Sequence, residues 1–458
     1  MAIRIQNSAF LLLLVTLLKI FTCAPPKPVP ISMKQPLMIN NRAVDYPDLS
    51  AYSAKTPHPR ALSVPDRINL LKSNPLKFFP ALVDYLIEDI DDPYLRVKIL
   101  HDWVALNLSY DIESYRDSSI PQQSVQNVLS SGKAVCAGFA SIFTELCRTA
   151  GFEVREISGY SRGFGWSIVK WEKFDSNHAW NAVFINGFWH LIDATWDGGY
   201  CTDDYKYVKK YSTKYLFIEP KHIIYTHFPE LAMDQFLTQP LTFSQFTDLP
   251  QYRGDMFQYG IYPVYQYPKT LTVKSSLEMK YRINQCKDYM AIAEMINGWE
   301  IKDIDYISIK GDTLSFWIYF PEATDYVLKL YVKQNSLDSL YWEFARFKVN
   351  VSHGTAEKPV KFYQKYDPKR FELIAPLTQP LEASDTVCFE FNNTTITELL
   401  LIWDDSLRQY LKISELWTQW SVDLPVNGHE KLTVYIWDPV TNIYQGIAEY
   451  SIACDEDD

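Results

Sequence analysis

Cysteine is scarce, with seven residues in a chain of 458. That density excludes a scaffold built from disulfides, and no Cys-x-x-Cys pair offers a zinc framework. Basic charge is also lacking. The formal net charge is -11 and the chain ends Cys454-Asp455-Glu456-Asp457-Asp458, so there is no positive footprint for nucleic acid or anionic lipid. Beyond the first two dozen residues no apolar run is long enough to cross a bilayer. Charged residues make up 22% and hydrophobic residues 47%, an ordinary globular balance that argues against wholesale disorder. The length suits about three domains.

What is present begins with a charged start and a short apolar core. Arg4 is followed by Ala9 to Leu18, Lys19, and Ile20 to Cys23. This pattern reads as a secretory signal over residues 1–23 and implies a secreted protein. A lipid anchor on Cys23 in a bacterial source is the second reading. Residues 24–60 carry Pro25, Pro26, Pro28, Pro30, Pro36, Pro47, Pro57 and Pro59, the composition of a draped leader. Four glycosylation triplets start at Asn107, Asn350, Asn392 and Asn393.

Helical periodicity fills the next stretch. Phe78, Phe79, Leu82, Val83, Leu86 and Ile87 share a face, and Asp92-Pro93 supplies a cap and a first helical residue for a helix with Leu95, Ile99, Trp103 and Leu106 in register. Phe139, Ile142, Phe143, Leu146 and Ala150 follow the same period after Cys136, with Gly151 placed to stop the helix. Phe152 to Tyr160 alternates as a strand, and Tyr211 to Pro250 reads as a wrapped, poorly periodic tail to this domain. From about residue 255 the texture becomes β-rich, through KTLTVKSSLEMKYRI, DYISIKGDTLSFWIYF and YWEFARFKVNV, and again through DTVCFEFN, ELLLIWD and KLTVYIWD. The fold class implied is α+β, with helices packed on an antiparallel sheet over residues 61–252, then two immunoglobulin-like β-sandwiches over 255–355 and 356–458.

Three residue types stand out in the first domain. A thiol attacks as thiolate, yet a free cysteine titrates at roughly 8.5. Cys136 at the first turn of a helix receives the partial positive charge of that terminus, and the N–H groups there suit an oxyanion. Ala134, Ala137 and Gly138 keep the sulfur reachable. Downstream, Asn186-Gly187 is a strong two-residue hairpin signal. Counting outward from it pairs Ile185 with Phe188 and puts His178, Trp180, Asp193 and Thr195 on one face. His178 and Asp193 then stand as diagonal neighbours, roughly 7 to 8 Å apart at Cα. Singly, each of the three has a structural explanation; jointly they fit a Cys136–His178–Asp193 triad. Asp197 is an alternative acid but reads as a turn residue in Asp197-Gly198-Gly199. Trp166 and Trp171 are cleft or packing residues, and His190 falls on the opposite face. His222 and His227 have no acidic partner in frame, so no metal or cofactor is expected.

GKAVCAGFA and NHAWNAVFINGFWHLIDATWDGG, with WVALNLSYD before them and FIEPKHIIYTHFPE after, resemble the transglutaminase-like branch of the papain-like cysteine superfamily, nearest its kyphoscoliosis peptidase and hillarin members. The resemblance spans about residues 90 to 250 and places that family's cysteine, histidine and aspartate on Cys136, His178 and Asp193. It implies thiol attack on a peptide or glutamine amide through a thioester, with peptidase or amidohydrolase activity preferred to cross-linking. It identifies no second oxyanion donor; Trp103 lies in the right region but fits a core position better. The expected partner is a protein or peptide substrate, with the β domains free for an extracellular protein. The competing reading is a non-catalytic interaction protein that retains a relic triad.

Overall fold

The computed structural model describes residues 47–52, 56–170, 172–284, 289–295, 299–301, 304–333, 340–362, 373–382, 386–391, 397–412, 419–423 and 429–453. The expected signal, most of the proline-rich leader, Trp171, Asn392 and Asn393 lie outside these residues.

The first domain is built on two long helices, α1 (Pro75–Ile87) and α2 (Pro93–Asn107). Asp92 caps α2 by accepting from the Tyr94 and Leu95 amides, as its pairing with Pro93 predicts. The one-sided apolar face expected for α2 is not what forms. Lys98, His101 and Asp102 are as buried as Ile99 and Trp103, because α2 runs through the middle of the domain and is covered all round. The third helix, α3 (Cys136–Thr149), starts at Cys136 and buries Phe139, Ile142, Phe143 and Leu146. It ends where Gly151 and Phe152 donate back to Arg148 and Cys147.

Helix α3 packs on an antiparallel sheet of β1 (Glu153–Ser161), β2 (His178–Ile185), β3 (Phe188–Ile192) and β4 (His227–Pro229), in the order β3-β2-β1-β4. The β2–β3 register runs from Ile185 opposite Phe188 to Asn181 opposite Ile192, as the turn predicts. Asn186 and Gly187 both have positive φ, 49° and 89°, which is what a two-residue turn of this hand requires. Past Ile192 the chain leaves the strand, and α4 (Ala194–Gly198) begins with Asp193 as its cap. Thr195 therefore lies on a helix, not on the hairpin face.

Residues 211 to 250, expected as a wrapped, poorly periodic tail, carry only short elements. They supply β4 and an apolar surface, Ile224, Tyr225, Phe228, Leu237, Leu241, Phe246 and Leu249, that is continuous with the interior of the following β domain. Tyr160 of β1 and Phe347 and Val349 of that domain belong to one buried cluster.

The β domain itself is a sandwich. One sheet is Ile261–Pro263, Ser276–Ile283, Thr313–Tyr319 and Asp305–Lys310; the other includes β5 (Thr270–Val273), β6 (Trp342–Val351), Asp325–Val332 and Tyr289–Met295. Alternate residues point inward, as in Tyr326, Leu328, Leu330 and Val332. A second sandwich follows, with Glu398–Trp403, Lys431–Asp438 and Ile443–Ala453 at the centre of one sheet and Thr386–Phe391 in the other. Among the described residues no helix is long and apolar enough to cross a membrane. At the first glycosylation triplet the Asn107 amide already donates to Ala61 O and Trp103 O, at 3.2 and 2.9 Å.

Candidate active site

Cys136 enters its helix without a side-chain cap of its own. The preceding amide, Val135 N–H, donates instead to Gln123 Oε1 at 3.0 Å, and Gly138 N–H and Phe139 N–H bond to Val135 O. Gly138 is required by this arrangement, since a Cβ there would lie 2.6 Å from Ala134 Cβ and 2.7 Å from Gln123 Oε1. Gln123, thirteen positions before the thiol, carries no motif that sequence inspection could pick out.

His178, at the first residue of β2, donates from Nε2 to Asp193 Oδ2 at 2.8 Å. That leaves Nδ1 for the Cys136 thiol, whose ionisation the imidazole favours. Asp193 Oδ1 accepts from the Thr195 and Trp196 amides at 2.9 and 3.1 Å, so the carboxylate that holds the imidazole also caps α4. The three residues singled out from sequence are thus brought together, with Cys136 partly exposed and Asp193 buried.

The electrostatics favour the ion pair. Burial alone would raise the Cys136 thiol, but the His178 bond and charge, with the Ala179 amide, hold it below its ordinary value. Burial alone would likewise lower His178, yet the Asp193 carboxylate, and after it the sulfur, push it up to about 10. Asp193 is buried, which opposes ionisation, but His178 and His227 keep it well below the usual carboxylate range. Both shifts favour a thiolate beside an imidazolium.

His227 is the residue that sequence reasoning missed. Its Nε2 donates to the same Asp193 Oδ2 at 3.2 Å, and its Nδ1 meets Thr226 Oγ1 at 2.8 Å. The expectation that it lacks an acidic partner is corrected; the partner lies 34 positions upstream, joined only when β4 pairs with β1. Burial keeps His227 neutral, at about 4. The ligand atoms of His178, Asp193 and His227 lie within 4.8 Å of one another, a spacing a metal ion would accept. Both imidazole N–H groups are spent on the carboxylate, however, which accounts for the cluster by hydrogen bonding. His222 stacks on Phe257 at 3.9 Å and has Glu219 at 3.9 Å. His190 faces away, against Tyr94 and Phe217. Trp103 packs in the core on Phe78, and Trp166 lies over the Arg162 guanidinium.

Asp197 is not a turn former. It is fully buried, and its Oδ2 accepts from His101 Nε2 at 3.1 Å and from Tyr215 N at 3.0 Å, while Asp102 flanks the other ring nitrogen at 3.3 Å. This second cluster, with Lys98 on Asp102 at 2.6 Å, pins α4 to α2 and so fixes the turn that presents Asp193. Burial opposes the charge on His101, but the two carboxylates push it up to about 9 from 6.5. A folded value above the unfolded one gives stability that is complete below pH 6.5 and fades as pH rises through 9. Replacing His101 with Gln is expected to cost on the order of 2 kcal/mol at pH 6 and distinctly less at pH 9.5, read by thermal denaturation at each pH.

Fold and site together define a transglutaminase-like cysteine core joined to immunoglobulin-like β domains. Comparison with known proteins gives this class its names: residues 80–194 match the transglutaminase-like superfamily, and residues 233–362 match the KY-like, immunoglobulin-like domain. The chain is similar to the kyphoscoliosis peptidase of Mus musculus, 25% identical over 304 residues that cover 65% of this chain and 45% of that protein. It is also similar to hillarin of Drosophila melanogaster, 24% identical over 199 residues that cover 41% of this chain and 24% of hillarin. The chain thus spans less than half the length of these relatives. Among solved structures, a putative cysteine protease from Cytophaga hutchinsonii aligns at 22% identity over 31% of this chain and 46% of that chain, with a TM-score of 0.22.

Proposed function

We propose that this chain is a cysteine hydrolase of protein or peptide amides, acting outside the cell. The observation that carries the chemistry is the His178 imidazole held by Asp193 through Nε2 at 2.8 Å, beside a partly exposed Cys136 whose ionisation that imidazole favours. The thiolate attacks an amide carbonyl carbon, and the C=O electron pair moves to oxygen within reach of the amides at the start of α3. His178 passes its proton to the departing amine as the C–N bond breaks, leaving a thioester. Water, deprotonated by the same imidazole, then releases the acid and restores the thiol. An amine in place of water would yield a cross-link by the same steps. The extracellular setting rests on the apolar N-terminal run alone.

The ion pair has a direct test. Alkylation of Cys136 by iodoacetamide, followed by mass spectrometry of its peptide, is expected to continue at pH values below those at which an ordinary thiol near roughly 8.5 falls off. A rate that climbs only above pH 8 contradicts the pair and favours a non-catalytic interaction protein.

A further inference from the structure

Residues 162 to 177 join β1 to β2 and deliver His178. At that length, with no helix or strand among its described residues, the connection is unusual in a compact domain. Its near end is closed by Asn177, whose Oδ1 accepts from Ser161 N at 2.8 Å and whose own amide donates to Gly159 O at 2.9 Å. Its middle is held by a buried charge network. The Arg162 guanidinium, fully enclosed, contacts Glu172 at 3.2 Å and donates to the carbonyls of Phe246, Leu249, Pro250 and Tyr225. Glu172 Oε1 then receives Lys269 Nζ at 3.0 Å.

Lys269 belongs to the β domain. Its amide donates to Asp248 O, and its carbonyl accepts from Lys348 of β6. The network therefore spans the chain from the His178 connection to the sandwich. It also reaches the imidazole from above: Gly163, next to Arg162, lies against the Trp196 ring, with 3.0 Å between a Cβ placed there and Trp196 Cζ2. That ring sits 5.5 Å from His178 and 4.5 Å from His227.

We propose that the first β-sandwich is a positioning element of the active site, and that Lys269, acting through Glu172 and Arg162, sets the connection that places His178 against Cys136. Lys269 touches no reacting atom. Its effect is on where the imidazole stands, and this makes the β domain part of the hydrolase instead of a free docking module. The proposal rests on the reading of Cys136 and His178 as an ion pair.

The test compares Lys269→Met, Lys269→Arg and wild type in the full chain, by the pH profile of Cys136 alkylation, well below each protein's unfolding temperature. The titratable groups around the sulfur, His178 of β2, Asp193, His227 of β4 and Tyr110, are untouched by these changes. Lys269→Met is expected to move the midpoint toward an ordinary thiol and slow alkylation below the midpoint by up to about tenfold, the most that one pKa unit of lost thiolate can remove. Lys269→Arg restores the wild-type profile. A purely structural lysine would lower the unfolding temperature and leave the profile in place, so superimposed profiles for wild type and Lys269→Met overturn the proposal alone. An ordinary thiol profile in the wild type overturns the ion pair and this proposal with it. If Lys269→Met does not fold, Lys269→Gln carries the same comparison with the same two outcomes.

Discussion

Cys136→Ala is expected to lower amide hydrolysis by a factor on the order of 10⁴ to 10⁶, with the unfolding temperature little changed. The size follows from what is lost. Alanine leaves the helix start and its amides in place, but no atom can form the thioester. His178→Ala should cost about as much, because thiolate and imidazolium form as a unit and neither works alone. Asp193→Asn should fall between, and its loss has two parts. The amide side chain can still cap α4 through its oxygen, but it no longer carries the charge that raises His178. The measurement is release of amine or ammonia from peptide and glutamine-containing substrates, with circular dichroism to verify the fold of each variant. Equal turnover by wild type and Cys136→Ala would remove the hydrolase reading.

How much of this site is legible in the amino-acid order depends on how local each signal is. Asn186-Gly187 fixes the hairpin because two adjacent residues must adopt positive φ, and the register counted from them reaches Asp193 correctly. Cys136 is legible because an apolar helical period begins beside it. Thr195 is misplaced by the same count, since counting assumes a strand continues, while Asp193 accepts two amides and turns the chain into a helix. His227 and Gln123 are illegible for a different reason. Each meets the site only through pairing or packing of distant segments, His227 when β4 joins the sheet edge and Gln123 when a loop docks against Gly138. Asp197 is the instructive error: Asp-Gly-Gly is a turn by composition, yet a buried histidine 96 positions earlier claims the carboxylate. The α2 sequence shows that a charged stripe need not face solvent when the opposite charge arrives from another element.

The same reasoning applied to Arg162 predicts the largest effect on stability. Arg162→Met should destabilise the chain by about 3 to 5 kcal/mol, the usual result of breaking one side of a buried ion pair. Glu172 would remain, enclosed and with only Lys269 to offset it, and four carbonyls, those of Phe246, Leu249, Pro250 and Tyr225, would lose a donor. Replacing both partners with apolar residues often recovers the loss in other buried pairs, because the desolvation of two charges disappears with them. Here Arg162→Met with Glu172→Leu should recover only part: Phe246 O and Pro250 O keep the Leu249 and Tyr252 amides, but Leu249 O and Tyr225 O lose the guanidinium. The unfolding curve should also keep its shape. The buried cluster runs without a break from Tyr160 through Phe246 into Leu271 and Phe347, so the transglutaminase-like core and the first sandwich should unfold together in urea, by fluorescence and by circular dichroism alike. Two separated transitions in the wild type would show instead that the network sits at a joint between independent units. A loss below about 1 kcal/mol in Arg162→Met, within the range of an exposed pair, would show that the guanidinium is not enclosed.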